Sequence, residues 1–586
     1  MHPDINTAGL MARQPGTYAH WIEPASASGA DLLVDDPLIS AILRARGISS
    51  AAEAQRFLRP LYGSLADPAL LPDAQRAVTR IHTAIQRSER ILVYGDYDVD
   101  GLTSTAMLVR VLRRLGAAPS TMIPHRLRDG YGLTMPMAEK IVAQQPDLVI
   151  CVDCGSSSPQ ELQLLRDHGI DAIVADHHHF SGDLPDSVAF VSPQRPDNAY
   201  PFRDLAAVGV AYMLVRLLLG DDDAEMYLPY VALGSVADVV ELRGENRVLV
   251  AKGISKIRRW QLPGLRAICA SAGLDQARLS TWDIGFVIGP RINAAGRVAS
   301  PEIALDLLLA DDATTATPLA LQLNDLNEHR RAETTRVLEE AEGQLRETGW
   351  QPEFPAIVVA GDGWSNGIVG LVASRLVDRF HRPAIVLEDR DGVVRGSARS
   401  VPGVDIVQAI SASSELLDRF GGHEAAAGLS MRREMLDTFI HELNASVLDL
   451  CGGRLPQRTI EIDAEASAAD LDLNTVDAFD QLQPFGQGNP EPCLLVRGLS
   501  HRYAKTSRDG RHLLLQVGAE GRRGYRAVLF GAGHRLPELL RLPQIDIVTR
   551  LQRDTWDGRT SLKLHLVDFR PSTALNTSHN LDTPRL

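Results

Sequence analysis

Asp96, Asp98 and Asp100 stand two residues apart in the segment GDYDVDG. Three like charges so close together repel one another and are costly unless a cation neutralises them. Further on, Asp153 ends DLVICVD, Asp176 ends IDAIVAD ahead of His177, His178 and His179, and Asp238 lies within YVALGSVADVVEL. Carboxylates joined by imidazole suit the hard divalent cations Mg²⁺ and Mn²⁺ better than zinc, which favours thiolates. Two such ions ~3.5–4 Å apart serve phosphodiester hydrolysis, one activating water and the other stabilising the leaving oxygen. A single Asp at a strand end is more often a helix cap or turn residue. Three strand ends repeating the pattern argue instead for one shared site.

These residues need a scaffold that brings distant segments together. ILVYG (91–95), DLVIC (147–151) and IDAIVA (170–175) are short continuous apolar runs, as expected of parallel strands covered on both faces. The segment LTSTAMLVRVLRRLG after the first run has helical spacing and ends at Gly116. In a parallel α/β sheet, residues just beyond the strands' carboxyl ends converge on one crevice. Residues 1–87 read as a helical lead-in and 88–301 as the parallel-sheet α/β domain carrying the acidic residues. Residues 302–350, rich in Leu, Glu, Ala and Arg, read as a long connecting helix. A second α/β domain is expected over 351–455, with PAIVVAGDG, RPAIVLEDRDGVVRGSARS and GGHEAAAGLS. From 456 to 571 the segments become short and β-like, matching a small barrel such as an OB-fold. Residues 572–586 read as a loose polar tail.

Composition narrows the function classes. The chain has 586 residues and a net charge of −14, which on its face disfavours a polyanion partner. The distribution says otherwise. Residues 501–570 hold 14 Lys+Arg against 7 Asp+Glu, whereas residues 1–500 carry a net of −21. One basic module attached to an acidic body is a pattern of nucleic-acid contact. Tyr503, Tyr525 and Phe530 in that module are candidate stacking platforms for bases. Five Cys, an odd number, do not build a disulfide framework and point to the reducing cytoplasm. Cys151 and Cys154 form a lone CxxC, more consistent with buried thiols than with a zinc or redox site. No stretch has the pattern of a signal peptide or a membrane span, so no membrane partner is expected.

GDYDVDGLTST, VDCGSSS, ADHHH, GSVADVVEL, IGPRINAAGRV, GWSNGIVGLVASRL, FGGHEAAAGLS and PFGQGNPEP follow one another along residues 88–570. In this order they resemble the DHH phosphoesterase superfamily, and within it the bacterial single-strand-specific exonucleases. The resemblance implies a DHH catalytic domain, a DHHA-type substrate-binding domain and an OB-fold for nucleic acid. It implies two divalent cations, Mg²⁺ or Mn²⁺, held by Asp98, Asp100, Asp153, His177 and Asp238, with direct ligation by Asp96 left open. His178 is implied in proton transfer near the scissile phosphate, and Asp176 in orienting the imidazoles. Arg126, Ser397 and Arg399 resemble residues that hold the terminal 5′-phosphate. Arg291, Asn293 and Arg297 have the donors to grip phosphates. Gly421 and Gly422, ahead of His423, permit close backbone approach to a ligand. One departure is visible: relatives commonly have His after the Trp of the GW motif, where this chain has Ser365 after Trp364.

The implied activity is hydrolysis of single-stranded DNA from the 5′ end to 5′-mononucleotides, in recombination and repair. A single-strand-binding protein and a RecQ-type helicase are the implied protein partners. Two other readings compete. A phosphodiesterase for short oligonucleotides or cyclic dinucleotides would not need the barrel after residue 456. A catalytically dead scaffold would be expected to have lost acidic or His positions, and all are filled here.

Overall fold

Every residue of the strands Ile91–Gly95 and Leu148–Val152 is buried, and the reason is visible on both faces of their sheet. In the computed structural model, Ile91, Val93, Ile150 and Val152 join one apolar core. Leu92, Tyr94, Val149 and Cys151 join another. Alternate residues thus serve opposite layers, so the run has no polar position. The structure describes residues 19–24, 32–126, 128–180, 182–259, 262–519, 524–556 and 559–572.

The sheet has five strands, ordered Ser120–Met122, Ile91–Gly95, Leu148–Val152, Asp171–Ala175 and Ala189–Val191. All four pairings are parallel. The chain begins in the second position, moves outward to the edge, then returns to the third. That reversal puts a topological switch point between Ile91–Gly95 and Leu148–Val152, where the connections leave toward opposite sides and a crevice opens. Asp96 and Asp153 directly follow these two strands. The helices Val99–Arg114, Ala207–Leu219 and Leu228–Ala237 pack against one another beside the sheet.

The expected connecting helix over 302–350 is two helices, Glu302–Leu309 and Ala313–Glu347. Asp312 separates them by capping the second, its side chain accepting from Thr315 N at 2.8 Å. The second α/β domain holds a mixed sheet, ordered Arg419–His423, Ala426–Arg432, Val393–Arg399, Ala384–Arg390 and Ile357–Asp362, against which the helix Asn366–Phe380 packs. All of this, residues Pro60–Pro456 together with Pro484–Asn489, forms one compact unit.

The other unit comprises residues up to Arg59, Gln457–Gln483 and Pro490 onward. Leu494–Thr506, Leu513–Gly518, Tyr525–Leu529, Arg559–Pro571 and Ile545–Trp556 pair in that order, and the last pairs back on the first. This is the expected small closed barrel. The 1–87 lead-in is divided between the units and is not wholly helical. Its strand His20–Ile22 pairs with Thr459–Glu461. Trp21 explains that pairing: its ring packs with Ile460, Ile462, Cys493, Leu495 and Val548, and its Nε1 donates to Asp568 Oδ2 at 3.0 Å. The proposed tail lies outside the described residues apart from Ser572. Among the described residues no helix is long and apolar enough to cross a membrane.

Gly101 marks where the fold is tightest around the acidic loop. A β-carbon there would stand 2.5 Å from Asp96 O and 2.7 Å from Asp96 N. Gly101→Ala must therefore push the loop off its helix, at a cost of about 1–3 kcal/mol for overpacking. A melting temperature equal to wild type would contradict this packing.

Candidate metal centre and phosphate site

The acidic loop is held by the start of the helix it precedes. Asp98 is the N-cap of Val99–Arg114, its Oδ1 accepting from Asp100 N at 2.9 Å and Gly101 N at 3.2 Å. A carboxylate there meets the positive end of the helix dipole. Asp100, in the first turn of that helix, reaches a second helix start: its Oδ2 accepts from Ala207 N at 2.7 Å and its Oδ1 from Val208 N at 2.9 Å. Asp96 has neither compensation. It is fully buried, and neither of its carboxylate oxygens has a hydrogen bond of good geometry; the backbone of Tyr97 and Gly132 favours its charge but less than burial and Asp98 oppose it. A buried carboxylate so placed is strongly unfavourable unless it is protonated or faces a cation.

Asp153 and Asp238 approach from the other side. Asp153 is buried with φ 61°, and Val239, next to Asp238, has φ 61° as well. Left-handed backbone at non-glycine residues costs energy, and for a β-branched valine it is a clear outlier. Strain at both flanks fits positions fixed by a site. His177 Nε2 lies 3.5 Å from Asp153 Oδ1 and 3.7 Å from Asp238 Oδ2, and makes no hydrogen bond. Such distances are too long for hydrogen bonds and suit groups sharing an ion. The ligand atoms of Asp96, Asp98 and Asp153 lie within 4.8 Å of one another, as do those of Asp100, His177 and Asp238. The two groups offer two neighbouring places for a cation, and the donor set of carboxylates plus one imidazole fits Mg²⁺ or Mn²⁺.

The electrostatics agree. Burial, reinforced by Asp98, raises Asp153 and Asp96 well above the ordinary carboxylate range. Burial and Asp238 do the same to Asp100. Asp238 is pushed up to about 7 by burial and then by Asp98. Burial, with the charge on His178, lowers His177 to about 4, leaving a neutral imidazole able to ligate. His178 behaves oppositely. Burial alone would lower it, but the hydrogen bond and charge of Asp176 outweigh burial and raise it to about 9.

Asp176 is the organiser of the two imidazoles. Its Oδ2 accepts from Ser156 N at 3.1 Å and Ser156 Oγ at 2.6 Å. Its Oδ1 takes His177 N at 2.8 Å and His178 Nδ1 at 2.7 Å. Although burial works against it, the bond to His178 holds its carboxyl below the usual range. The far ring nitrogen of His178, Nε2, meets Tyr131 Oη at 2.7 Å. The sequence gives no pointer to Tyr131, because a tyrosine in a loop carries no spacing signal.

Several of the candidate phosphate-binding residues form an arginine cluster. Arg126 lies over the Tyr97 ring, 5.1 Å from its centroid. Arg297 is lowered to about 9 by burial and by Arg126, and its Nη1 donates to Gly367 O at 3.1 Å. Arg399 is lowered by burial and by Arg126. A cavity of about 140 Å³ is lined by Asn293 and Arg297 together with Arg330 of the long helix. Arg330 likewise stands in no motif of the sequence. Burial and Arg375 lower it to about 10. Guanidinium groups whose charge is disfavoured in this way are typical of functional sites.

The other candidate residues occupy different settings. Arg291 falls outside that cavity's lining; its Nε donates to Asn324 Oδ1 at 3.2 Å and its Nη1 to Val287 O at 2.8 Å. The helical phase explains this, since Asn293 and Arg297 are four apart on one face while residue 291 points the other way. Gly422 has φ 146°, and a β-carbon would collide with Ala426 O of the paired strand. Its glycine is therefore demanded by the chain itself, and a β-carbon at Gly421 would meet only open space. His423, like all of Arg419–His423, is exposed. Ser397 sits on the strand ending at Arg399. Ser365 is the N-cap of Asn366–Phe380, its Oγ accepting from Gly367 N at 3.3 Å. Cys151 and Cys154 are free and buried in the core, a packing role.

In the barrel unit, Tyr503 is 81% and Phe530 50% exposed. Tyr525 is half-buried and its hydroxyl donates to Ala468 O at 3.3 Å. Two of the three aromatic candidates thus present faces to solvent.

Comparison with known proteins agrees with the geometry. The chain matches the models for the DHH family, N-terminal domain, over residues 90–236, the DHHA1 domain over 353–449 and the RecJ OB domain over 462–568. It is 34% identical to the single-stranded-DNA-specific exonuclease RecJ of Haemophilus influenzae, covering 91% of this chain and 96% of that protein. The RecJ of Bacillus subtilis is 33% identical, with 91% and 68% covered. A solved structure of RecJ in complex with Mn²⁺ from Thermus thermophilus superposes with a TM-score of 0.80 at 29% identity, over 94% of this chain and 79% of that one. With DHH, DHHA1 and OB domains in that order, the chain belongs to the RecJ family.

Proposed function

We propose that the protein is a metal-dependent exonuclease that hydrolyses single-stranded DNA from the 5′ end to 5′-mononucleotides, in recombination and repair. One observation carries the reading: Asp96, Asp98, Asp100, Asp153, His177 and Asp238 converge on one crevice with orphaned buried ligand atoms, beside Arg126, Arg297, Arg330 and Arg399. Asp98, Asp100, Asp153, His177 and Asp238 would hold two divalent cations, and the buried oxygens of Asp96 support adding it to the set. Bound there, such ions supply Lewis-acid polarisation of the phosphodiester and activation of water.

The chain's own groups do the rest. Arg399, Arg126 and Ser397 grip the terminal 5′-phosphate, and Arg297 and Asn293 hold the backbone about to be cut. Hydrolysis adds water's oxygen to phosphorus and breaks the bond to the 3′-oxygen of the first nucleotide. That oxygen needs a proton. His178 keeps one at neutral pH, because Asp176 stabilises the imidazolium. The remaining strand carries a new 5′-phosphate, so the same grip is available for the next step. Tyr503, Phe530 and the basic barrel would bind single-stranded DNA by stacking and charge. Five free cysteines fit the cytoplasm. A single-strand-binding protein and a RecQ-type helicase are the partners to test by co-purification.

Digestion of end-labelled DNA tests polarity, strandedness and metal need together. A 5′-labelled single strand should release labelled mononucleotide at once, a 3′-labelled one should shorten gradually, and duplex and chelated reactions should stay intact. Early label from the 3′ end would reverse the assignment. Asp98→Ala should lower turnover by well over the ~10–100-fold that losing a supporting group costs, while strand binding persists; full activity would remove Asp98 from the centre.

Stability supplies a separate check. In chelator, Asp238, Asp153 and Asp100 have raised values, so the folded protein binds protons that an unfolded carboxyl, near 3.8, releases. This stabilisation is full below the unfolded value and is lost as pH rises through about 7. The melting temperature of chelated protein should thus fall across that window. Saturating Mn²⁺ should restore about 2.7 kcal/mol at a hundredfold excess over Kd. Asp153→Asn should raise the chelated melting temperature and shrink the Mn²⁺ gain. A flat pH profile would mean the carboxylates do not repel as described.

A further inference from the structure

Trp282 and Phe286 are an exposed aromatic pair that neither the hydrolysis nor the phosphate grip uses. Phe286 is 69% and Trp282 41% exposed. Their rings stack, with centroids 5.6 Å apart and planes 26° from parallel. Adjacent aromatic rings that face solvent are a mark of binding surfaces.

Their position says what covers them. Phe286 lies in a single π-helical turn, Ile284–Ile288, that runs straight into the helix Gly289–Val298. Such turns are rare and recur at functional sites. Gly285, next to Phe286 in that turn, lines the arginine cavity in one row with Gly289, Pro290, Asn293 and Arg297, so the two rings adjoin one end of that row. Gly289, also in that lining, packs against Ala237, the residue before Asp238. From Gly289 back to Trp282 is seven residues, at most ~10 Å at the α-helical rise of 1.5 Å each. That is about the rise of three stacked nucleotides at 3.4 Å.

We propose that Trp282 and Phe286 are a base-stacking platform for the single strand, within about three nucleotides of the bond being cut. The inference rests on the exonuclease reading and adds a subsite to it. Backbone phosphates run along the Arg297 and Asn293 end of the row while successive bases meet the two rings. Stacking reads any base through its flat face, so the platform binds without sequence preference. A paired base has its faces occupied by its duplex neighbours, so the platform also favours single strands over duplex.

The test is binding of a 5′-phosphorylated oligothymidylate by protein carrying Asp98→Ala, so that the strand stays intact. A single abasic residue is moved one position at a time from the 5′ end. With both rings present, one or two positions near the end should weaken binding ~5-fold or more when abasic. Adding Trp282→Ala and Phe286→Ala should weaken the intact strand by a similar factor and flatten the positional profile. Trp282→Phe with Phe286→Tyr should keep it. An unchanged profile in the double alanine variant overturns the platform. Mononucleotide release by the wild-type chain is followed in parallel. Its absence would count against the exonuclease reading, while the binding profile would still decide the platform.

Discussion

Repulsion among buried carboxylates is the constraint on which the rest of this structure depends. Two unit charges 4 Å apart interact by about 4 kcal/mol at the effective dielectric near a protein surface. Here Asp96, Asp98 and Asp153 bring ligand atoms within 4.8 Å of each other, two of the three being fully buried residues. No arginine or lysine forms an ion pair with any of them among the described residues. Close packing, two helix starts and two left-handed residues hold this arrangement in place. Divalent cations are the counter-charge that makes it stable, and under the proposed function the arginines beyond serve phosphate.

The fold solves the problem by topology. Strand order puts the ends of Ile91–Gly95 and Leu148–Val152 side by side at the point where the chain reverses direction. Two helix starts then face the site, one capped by Asp98 and one bonded by Asp100. Backbone amides thus orient two of the carboxylates while their remaining lone pairs stay available. Asp176 serves the histidines instead, and splits them: His177 neutral beside the carboxylates, His178 charged and able to give up a proton.

Much of this is readable in the chain because apolar strand runs ending in Asp are a local pattern with a three-dimensional consequence. Asp96, Asp153 and Asp176 follow from it directly. What the sequence hides depends on phase and on distant partners. Arg291 and Arg297 look alike in PRINAAGR, but six residues of helix turn them to different sides. Arg330 and Tyr131 enter the site from a long helix and a loop whose sequences give no sign of what they face. Trp21 fastens the lead-in to a strand more than four hundred residues away, which no local pattern reveals. Gly422 carries a demand that no local pattern shows, since its missing β-carbon makes room for its own neighbouring strand.

Counting the cations tests the central claim most directly. Mn²⁺ bound to the chain can be titrated by electron paramagnetic resonance at neutral pH, with proton release followed in the same sample. The account predicts two ions per chain, magnetically coupled by their proximity, and protons released as Asp153, Asp100 and Asp238 ionise. A chain that binds a single ion, or that binds two without releasing protons, would contradict it.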